Sequence, residues 1–254
     1  MATLGHQVAD LRLFDRADGP RIAYRLRDGS SPTLVFLPGY ASDMEGIKAL
    51  ALDAFAERSG LAVLRFDYSG TGASEGRFDD GTLEHWVEEA LLLIDELTRG
   101  PIILVGSSMG GWIALHAALR RPDRVAALVA IAAAPDFTEW GYSDEEKAAI
   151  RHNGRLELPN PYGEEPQLTT SGFWESGQRL QLLGGDIPIH CPVRLIHGDC
   201  DDDVPLAIAF RLMDALRSVD VQLTVLKGGG HRLSAPHEVD AILRAVAALL
   251  ESSQ

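Results

Sequence analysis

The stretch "ILVGSSMGGW", residues 103–112, runs an apolar segment into two adjacent serines, with Gly106 before them and Gly110 and Gly111 after. A serine hydroxyl becomes a nucleophile when a base can reach it and a substrate carbonyl can approach it. One solution sets the serine on a sharp turn between a strand and a helix. The residues two before and two after it must then be small, because the two backbones nearly touch; this is the G-x-S-x-G elbow. Around Ser108 those positions hold Gly106 and Gly110, whereas around Ser107 they would hold the bulkier Val105 and Met109. Ser108 is therefore the candidate nucleophile and Ser107 a spacer. The alternative is a glycine-rich turn without chemistry. Against it stands the context: the β-branched run "PIILV" precedes the turn and "MGGWIALHAAL", with helical spacing, follows it.

Outward from the elbow the same alternation repeats. Apolar runs occur at "TLVFLPG" (33–39), "LAVLRFD" (61–67), "PIILVG" (101–106), "VAALVAIAA" (125–133), "PVRLIHG" (192–198) and "VQLTVLK" (221–227). Near-continuous apolar strands are typical of parallel sheets covered on both faces. Segments of helical period lie between them, at about 42–58, 82–97, 108–120, 205–216 and 236–250. Strand–helix alternation predicts right-handed βαβ units in a mostly parallel, doubly wound α/β sheet flanked by helices. "LRLF" and "RIAYRL" are expected to form an antiparallel hairpin at one sheet edge. One segment breaks the rhythm. Between Pro135 and His190 the crossover swells to some 55 residues, carrying Trp140, Tyr142, Ile150, Leu156, Tyr162, Phe173, Trp174, Leu180 and Leu183. Loops of this length are usually functional, so residues 135–190 are expected to be a small inserted cap with short helices of its own, within a single domain spanning 1–254.

Composition narrows the function classes. The chain has 254 residues, 46% hydrophobic, and a formal net charge of −14. That charge argues against nucleic acid and anionic membrane surfaces as partners. No apolar run approaches the ~18 residues of a membrane span. The N-terminal "MATLGHQVADLRLF" has neither the basic and apolar regions of a signal peptide nor transit-peptide character, which predicts a cytoplasmic protein. Cys191 and Cys200 flank an apparent strand and should lie too far apart for a disulfide, as suits a reducing compartment. Neither C-x-x-C pairs nor histidines at zinc spacing occur, so no metal and no cofactor is expected.

A nucleophilic serine needs a base and an acid, in chain order Ser, acid, His for an elbow of this kind. Eight histidines compete for the base. His6 sits in the N-terminal segment, His85 and His116 within helices, and His152 and His190 in or beside the insertion. His197 ends a buried strand, and His237 opens the last helix. His231, in "KGGGHRLS" between the last strand and the last helix, is the candidate base. The acid should lie after the preceding strand, where "IHGDCDDDVP" offers Asp199, Asp201, Asp202 and Asp203. Asp201 fits the G-x-x-D-x-x-V-P spacing and is the candidate, with Asp202 and Asp203 as alternatives. An oxyanion hole needs two backbone N–H groups. Met109, at the positive start of a helix, and Tyr40, after Gly39 in "LPGYASD", are the candidate donors. "RFDYSGTGASEG" lacks the G-K-[ST] ending of a phosphate loop, so its glycines read as turn residues.

The runs "FLPGYASDMEGIKAL", "RFDYSGTGASEG", "GPIILVGSSMGGWIALHAAL" and "IPIHCPVRLIHGDCDDDVP" resemble the α/β-hydrolase superfamily of serine hydrolases, within it the subfamily of α/β-hydrolase domain-containing protein ten, whose members are known as palmitoyl-protein thioesterases and acyl-glucuronide esterases. The visible likeness covers roughly residues 33–137 and 186–233 and leaves out about 138–185. It implies an α/β-hydrolase fold and carries the triad over to Ser108, Asp201 and His231. Without a counterpart to the subfamily's mitochondrial targeting segment, a bacterial or cytosolic relative is expected.

The expected function is hydrolysis of carboxylic esters or thioesters through an acyl-enzyme. The substrate would be a small acyl ester or thioester, or an S-acylated protein. The likeness to acyl-glucuronide esterases also raises Arg151, Arg155 and Arg179 as candidates for binding a carboxylate on the leaving group. Two other readings stay open. The same triad serves cofactor-free perhydrolases of the haloperoxidase type, and a non-enzymatic binding protein could use the same fold.

Overall fold

The computed structural model describes residues 9–161, 163 and 166–252. Tyr162 and the first eight residues of the N-terminal stretch lie outside the described residues. Eight strands form one sheet: β1 (Leu11–Phe14), β2 (Ile22–Arg27), β3 (Ser30–Leu37), β4 (Leu61–Phe66), β5 (Ile102–Ser107), β6 (Val125–Ile131), β9 (Val193–Gly198) and β10 (Val221–Leu226). Their order is β1-β2-β4-β3-β5-β6-β9-β10. β1 and β2 form the expected antiparallel hairpin at one edge, and β2 also meets β4 antiparallel. From β4 to β10 every pairing is parallel.

Side chains alternate across a strand, and here both faces are buried. On β3, Leu34 and Phe36 face one way, against helices α1 (Ile47–Ser59) and α8 (Pro236–Ser252), while Val35 and Leu37 face the other. That second face is covered by α2 (Leu83–Leu97), α3 (Met109–Arg120) and α7 (Leu206–Ala215). β5 and β6 repeat the division, Ile103, Val105, Ala127 and Val129 against Leu104 and Leu128. Two cores with opposite demands on successive residues explain why the strands read as unbroken apolar runs.

Winding reverses at β3. The chain goes from β3 through α1 to β4 on one side, then returns to lay β5 on the other. Ligands in such sheets bind outside the carboxyl ends of the strands at this switch point, and that is where Tyr40 and Ser108 emerge.

The helix expected from residue 42 begins only at Ile47. Met44 explains the delay. Its N–H donates to Asp67 Oδ1 at 2.7 Å and its carbonyl accepts from the buried Arg65 guanidinium at 2.5 Å. A backbone engaged at both ends by another strand's side chains cannot also enter a helical ladder.

Between β6 and β9 the chain forms α4 (Phe137–Trp140), α5 (Asp144–Asn153), a hairpin of β7 (Arg155–Leu158) with β8 (Gln167–Thr170), and α6 (Ser171–Arg179). The short helices agree with expectation; the hairpin was not foreseen. Both ends of the segment are tied at Asp136, whose carboxylate accepts from the N–H groups of Leu182 and Leu183, each at 2.7 Å. Cys191 and Cys200 are both free. Among the described residues no helix is long and apolar enough to cross a membrane.

Candidate active site

β5 ends at Ser107 and α3 begins at Met109, so Ser108 alone turns the chain. Its backbone sits at φ 55° and ψ −120°, a region costing ~1–3 kcal/mol for a residue with a side chain. Three backbone bonds hold it there: its N–H donates to Ile131, and its carbonyl accepts from Gly111 and Ala134. The glycines do what the spacing implied. A Cβ on Gly106 would stand 2.3 Å from the Gly110 carbonyl oxygen, and one on Gly110 would stand 2.0 Å from that of Leu37. Because these neighbours are backbone, one in helix α3 and one in strand β3, they cannot yield as side chains do. Gly110→Ala is expected to lose ~3 kcal/mol of stability, the upper end of what overpacking costs. Urea denaturation measures it; wild-type stability would mean that strand and helix are not in contact there.

The other two side chains come from loops laced together. A Cβ on Gly198, the last residue of β9, would stand 2.0 Å from the Gly229 carbonyl oxygen. Cys200 N–H donates to that same carbonyl, and Gly228 N–H donates to Asp199. The glycines of "KGGGH" thus let the loop after β10 lie against the loop after β9. His231 Nδ1 lies 3.0 Å from Asp201 Oδ2, and His231 Nε2 lies 3.0 Å from Ser108 Oγ. A carboxylate only accepts, which assigns the proton to Nδ1 and leaves Nε2 to accept from the serine hydroxyl.

The Asp201 side chain is fully buried. Burial alone would push its carboxyl up. The bond and charge of His231, the Val204 N–H and nearby His197 outweigh that and hold it below the usual carboxylate range. Its other oxygen, Oδ1, accepts from the N–H groups of Asp203 and Val204. Of the remaining acids in the cluster, Asp199 holds Gly228, while Asp202 and Asp203 are exposed. Among the described residues no other histidine bonds to Ser108 Oγ. His116 bonds the Leu180 carbonyl, and His85, His152, His190 and His237 are exposed.

Gly39 presses against Ser108; a Cβ on it would lie 3.3 Å from Ser108 Cβ. That brings the start of the Tyr40 loop beside Ser108, as an oxyanion donor requires. Neither Tyr40 nor Met109 donates its N–H to an acceptor among the described residues. The Tyr40 hydroxyl donates to the Leu168 carbonyl at 2.5 Å, and its ring packs edge-on or tilted against Phe78, Trp86, Phe137 and Phe173. From below, Asp67 and Arg65 fix the same loop through Met44. Asp67 also accepts from Ala73 N–H, and Gly70, Gly72 and Gly76 take positive φ, so "RFDYSGTGASEG" is a turn that buttresses the loop. Asp67, Arg65 and Asp136 were missed from the sequence, where nothing sets them apart from surface charges.

Ser108 and His231 open onto a cavity of about 550 Å³. Phe137, Trp140, Tyr142 and Leu158 of the insertion line it, with Ala134 and Val204. Phe173, Leu180 and Leu183 instead pack into the main core. None of Arg151, Arg155 and Arg179 lines the cavity. Arg151 lies over the Trp174 ring, 5.4 Å from its centroid, Arg155 pairs with Glu157, and Arg179 pairs with Glu84 at 2.7 Å. The cations that do line it are Lys48 and Arg232. Lys48 donates to the Arg232 carbonyl, and burial, aided by the charge of Arg232, pushes its ammonium down to about 8. Asp201, Asp203 and His231 offer ligand atoms within 4.8 Å of one another, but the bonds joining Asp201, His231 and Ser108 already engage atoms that a cation would need.

The family model described as alpha/beta hydrolase fold matches residues 32–173. The human mitochondrial palmitoyl-protein thioesterase ABHD10 is 37% identical over 249 residues, 96% of this chain and 81% of its own length. The structure of alpha/beta hydrolase domain-containing protein 10 from mouse superposes with a TM-score of 0.91 at 36% identity, over 97% of this chain and 100% of its own. A putative hydrolase from Agrobacterium vitis S4 superposes at 0.90 with 39% identity, over 96% and 99%. Coverage this complete includes the insertion between β6 and β9, which corrects the expectation that the likeness stops at its borders. Divergent short runs hid a shared backbone.

Proposed function

This chain belongs to the α/β hydrolase family, and from that premise we propose that it cleaves carboxylic thioesters and esters through an acyl-enzyme on Ser108. One observation carries the reading: Ser108, His231 and Asp201 are hydrogen-bonded in series, and Ser108 and His231 open onto a cavity to which Phe137, Trp140, Tyr142 and Leu158 contribute. Ser108 Oγ attacks the acyl carbonyl carbon while His231 Nε2 takes its proton. The carbonyl oxygen becomes an oxyanion, and the N–H groups of Tyr40 and Met109 receive it. Asp201 keeps His231 oriented and stabilises its charged form. The intermediate collapses, the C–S or C–O bond breaks, and His231 returns the proton to the leaving thiolate or alkoxide. A water then repeats the attack with His231 as base, releasing the carboxylic acid and restoring Ser108.

Residues 135–190 act as a cap that selects the acyl chain. Phe137, Trp140, Tyr142 and Leu158 give a methylene chain somewhere dry to lie, and each buried CH₂ is worth up to ~0.8 kcal/mol, about fourfold in binding. Across p-nitrophenyl esters from C2 to C16, kcat/KM should climb with length until the cavity is full and then level off. Trp140→Ala, which enlarges the cavity, should move the plateau to longer chains. A flat profile in the intact enzyme, or an unmoved plateau in the variant, would remove acyl selection from the cap's role. An S-acyl thioester series run beside the esters ranks the two substrate classes.

A further inference from the structure

His197 contributes nothing to the mechanism above, yet it is buried against the acid. It is the penultimate residue of β9, its side chain is 2% exposed, and its Nε2 lies 2.8 Å from the Val204 carbonyl oxygen and 3.4 Å from Asp201 Oδ2. Both neighbours are acceptors, which assigns a hydrogen to Nε2. That N–H donates to Val204 and turns its positive end toward Asp201. Val204 is thereby held at both ends: its carbonyl accepts from His197, and its N–H donates to Asp201 Oδ1 at 2.8 Å.

The loop needs such a hold. Four carboxylates fall within the five residues from 199 to 203, and like charges this close repel one another. Asp203, two residues from Asp201, also offers a carboxylate oxygen within 4.8 Å of the His231 ring nitrogen. The turn from Asp201 to Val204 decides which of the two carboxylates faces His231 and which faces solvent. Asp203 N–H and Val204 N–H close that turn on Asp201 Oδ1 from one side, and His197 closes it on the Val204 carbonyl from the other.

We propose that His197 is a positioning residue: through Val204 it fixes the turn that presents Asp201, rather than Asp203, to His231. The inference rests on the triad reading above. Gln and Met are nearly matched in length, but only Gln carries an N–H donor that can reach the Val204 carbonyl. His197→Met is therefore expected to lower kcat roughly 10- to 100-fold, the range over which a hydrogen bond to a charged or buried partner counts, with KM within about twofold. His197→Gln should recover most of that loss. Equal losses in both variants would mean that the ring merely fills space, and full activity in His197→Met would mean that the turn holds without it; either result overturns the proposal. Should neither variant fold, nitrogen-15 histidine spectra of the unmodified protein decide it. They must show His197 with the hydrogen on Nε2, and an Nδ1–H tautomer is fatal. Asp201→Asn assayed alongside separates the two failures. If it keeps its activity, the triad reading falls; if it is inactive while His197→Met is normal, only this inference does.

Discussion

Ser108→Ala is expected to lower kcat on a p-nitrophenyl ester by roughly 10⁴–10⁶-fold, the scale seen when a triad nucleophile is removed. Among the described residues the hydroxyl bonded to His231 Nε2 is that of Ser108, at 3.0 Å, carried there by the turn between β5 and α3. Ser107 is the last residue of β5, mostly buried, and makes no bond to His231. Ser107→Ala should therefore keep most of its activity. A fluorophosphonate should label Ser108 in the unmodified protein and in Ser107→Ala, and should leave Ser108→Ala unlabelled. An inactive Ser107→Ala variant, or label recovered on any other residue, would overturn the assignment. Thermal melts must accompany the assay, because alanine keeps the Cβ and the same turn and should leave the fold intact; loss of activity with loss of structure would prove nothing about the nucleophile.

Asp201→Asn should cost on the order of 10⁴-fold in kcat, the effect of presenting an amide where the base needs an acceptor. With the carboxylate, His231 keeps its hydrogen on Nδ1 and its lone pair toward Ser108. An amide can donate to Nδ1 instead, which moves the hydrogen to Nε2 and leaves the serine without a base. Its hydrogen bonds hold Asp201 below the usual carboxylate range. It therefore stays ionised through the ordinary carboxylate range and keeps accepting from His231 Nδ1 there. Asp199→Asn and Asp202→Asn should be mild, since Asp199 is bonded to Gly228 and Asp202 is exposed. A severe Asp203→Asn beside a mild Asp201→Asn would shift the acid by two residues.

Much of the site could be read before any coordinate was known. The glycines of G-x-S-x-G exclude Ser107 on volume alone, and the backbone approaches at Gly106 and Gly110 bear that reasoning out. The G-x-x-D-x-x-V-P spacing singled out Asp201 among the four acids of its loop, and the alternation of apolar strands with helical segments implied the doubly wound sheet. Less of the insertion was legible. Its helices show periodicity, but the β7–β8 strands have four residues each, too few for an alternating pattern to rise above chance. The arginines within it looked available for a ligand because charge is visible in a sequence and pairing is not; Arg155 and Arg179 are taken up by Glu157 and Glu84.

What the sequence determined by itself is whatever depends on neighbours along the chain: the strand–helix rhythm, the elbow, and the residue types that could serve as nucleophile, acid and base. These follow from local sterics and from side-chain period, which a few adjacent residues suffice to specify. What only the tertiary structure decided is which separated groups meet. Ser108 and His231 are 123 positions apart and touch because parallel strands carry their loops to the same sheet edge. Met44 leaves its helix because Asp67 and Arg65 arrive from another strand. His197, to the sequence one more buried histidine at a strand end, lies against the acid because the loop after β9 folds back over it. Partners of this kind are set by the closing of a three-dimensional turn, and no spacing along the chain encodes them.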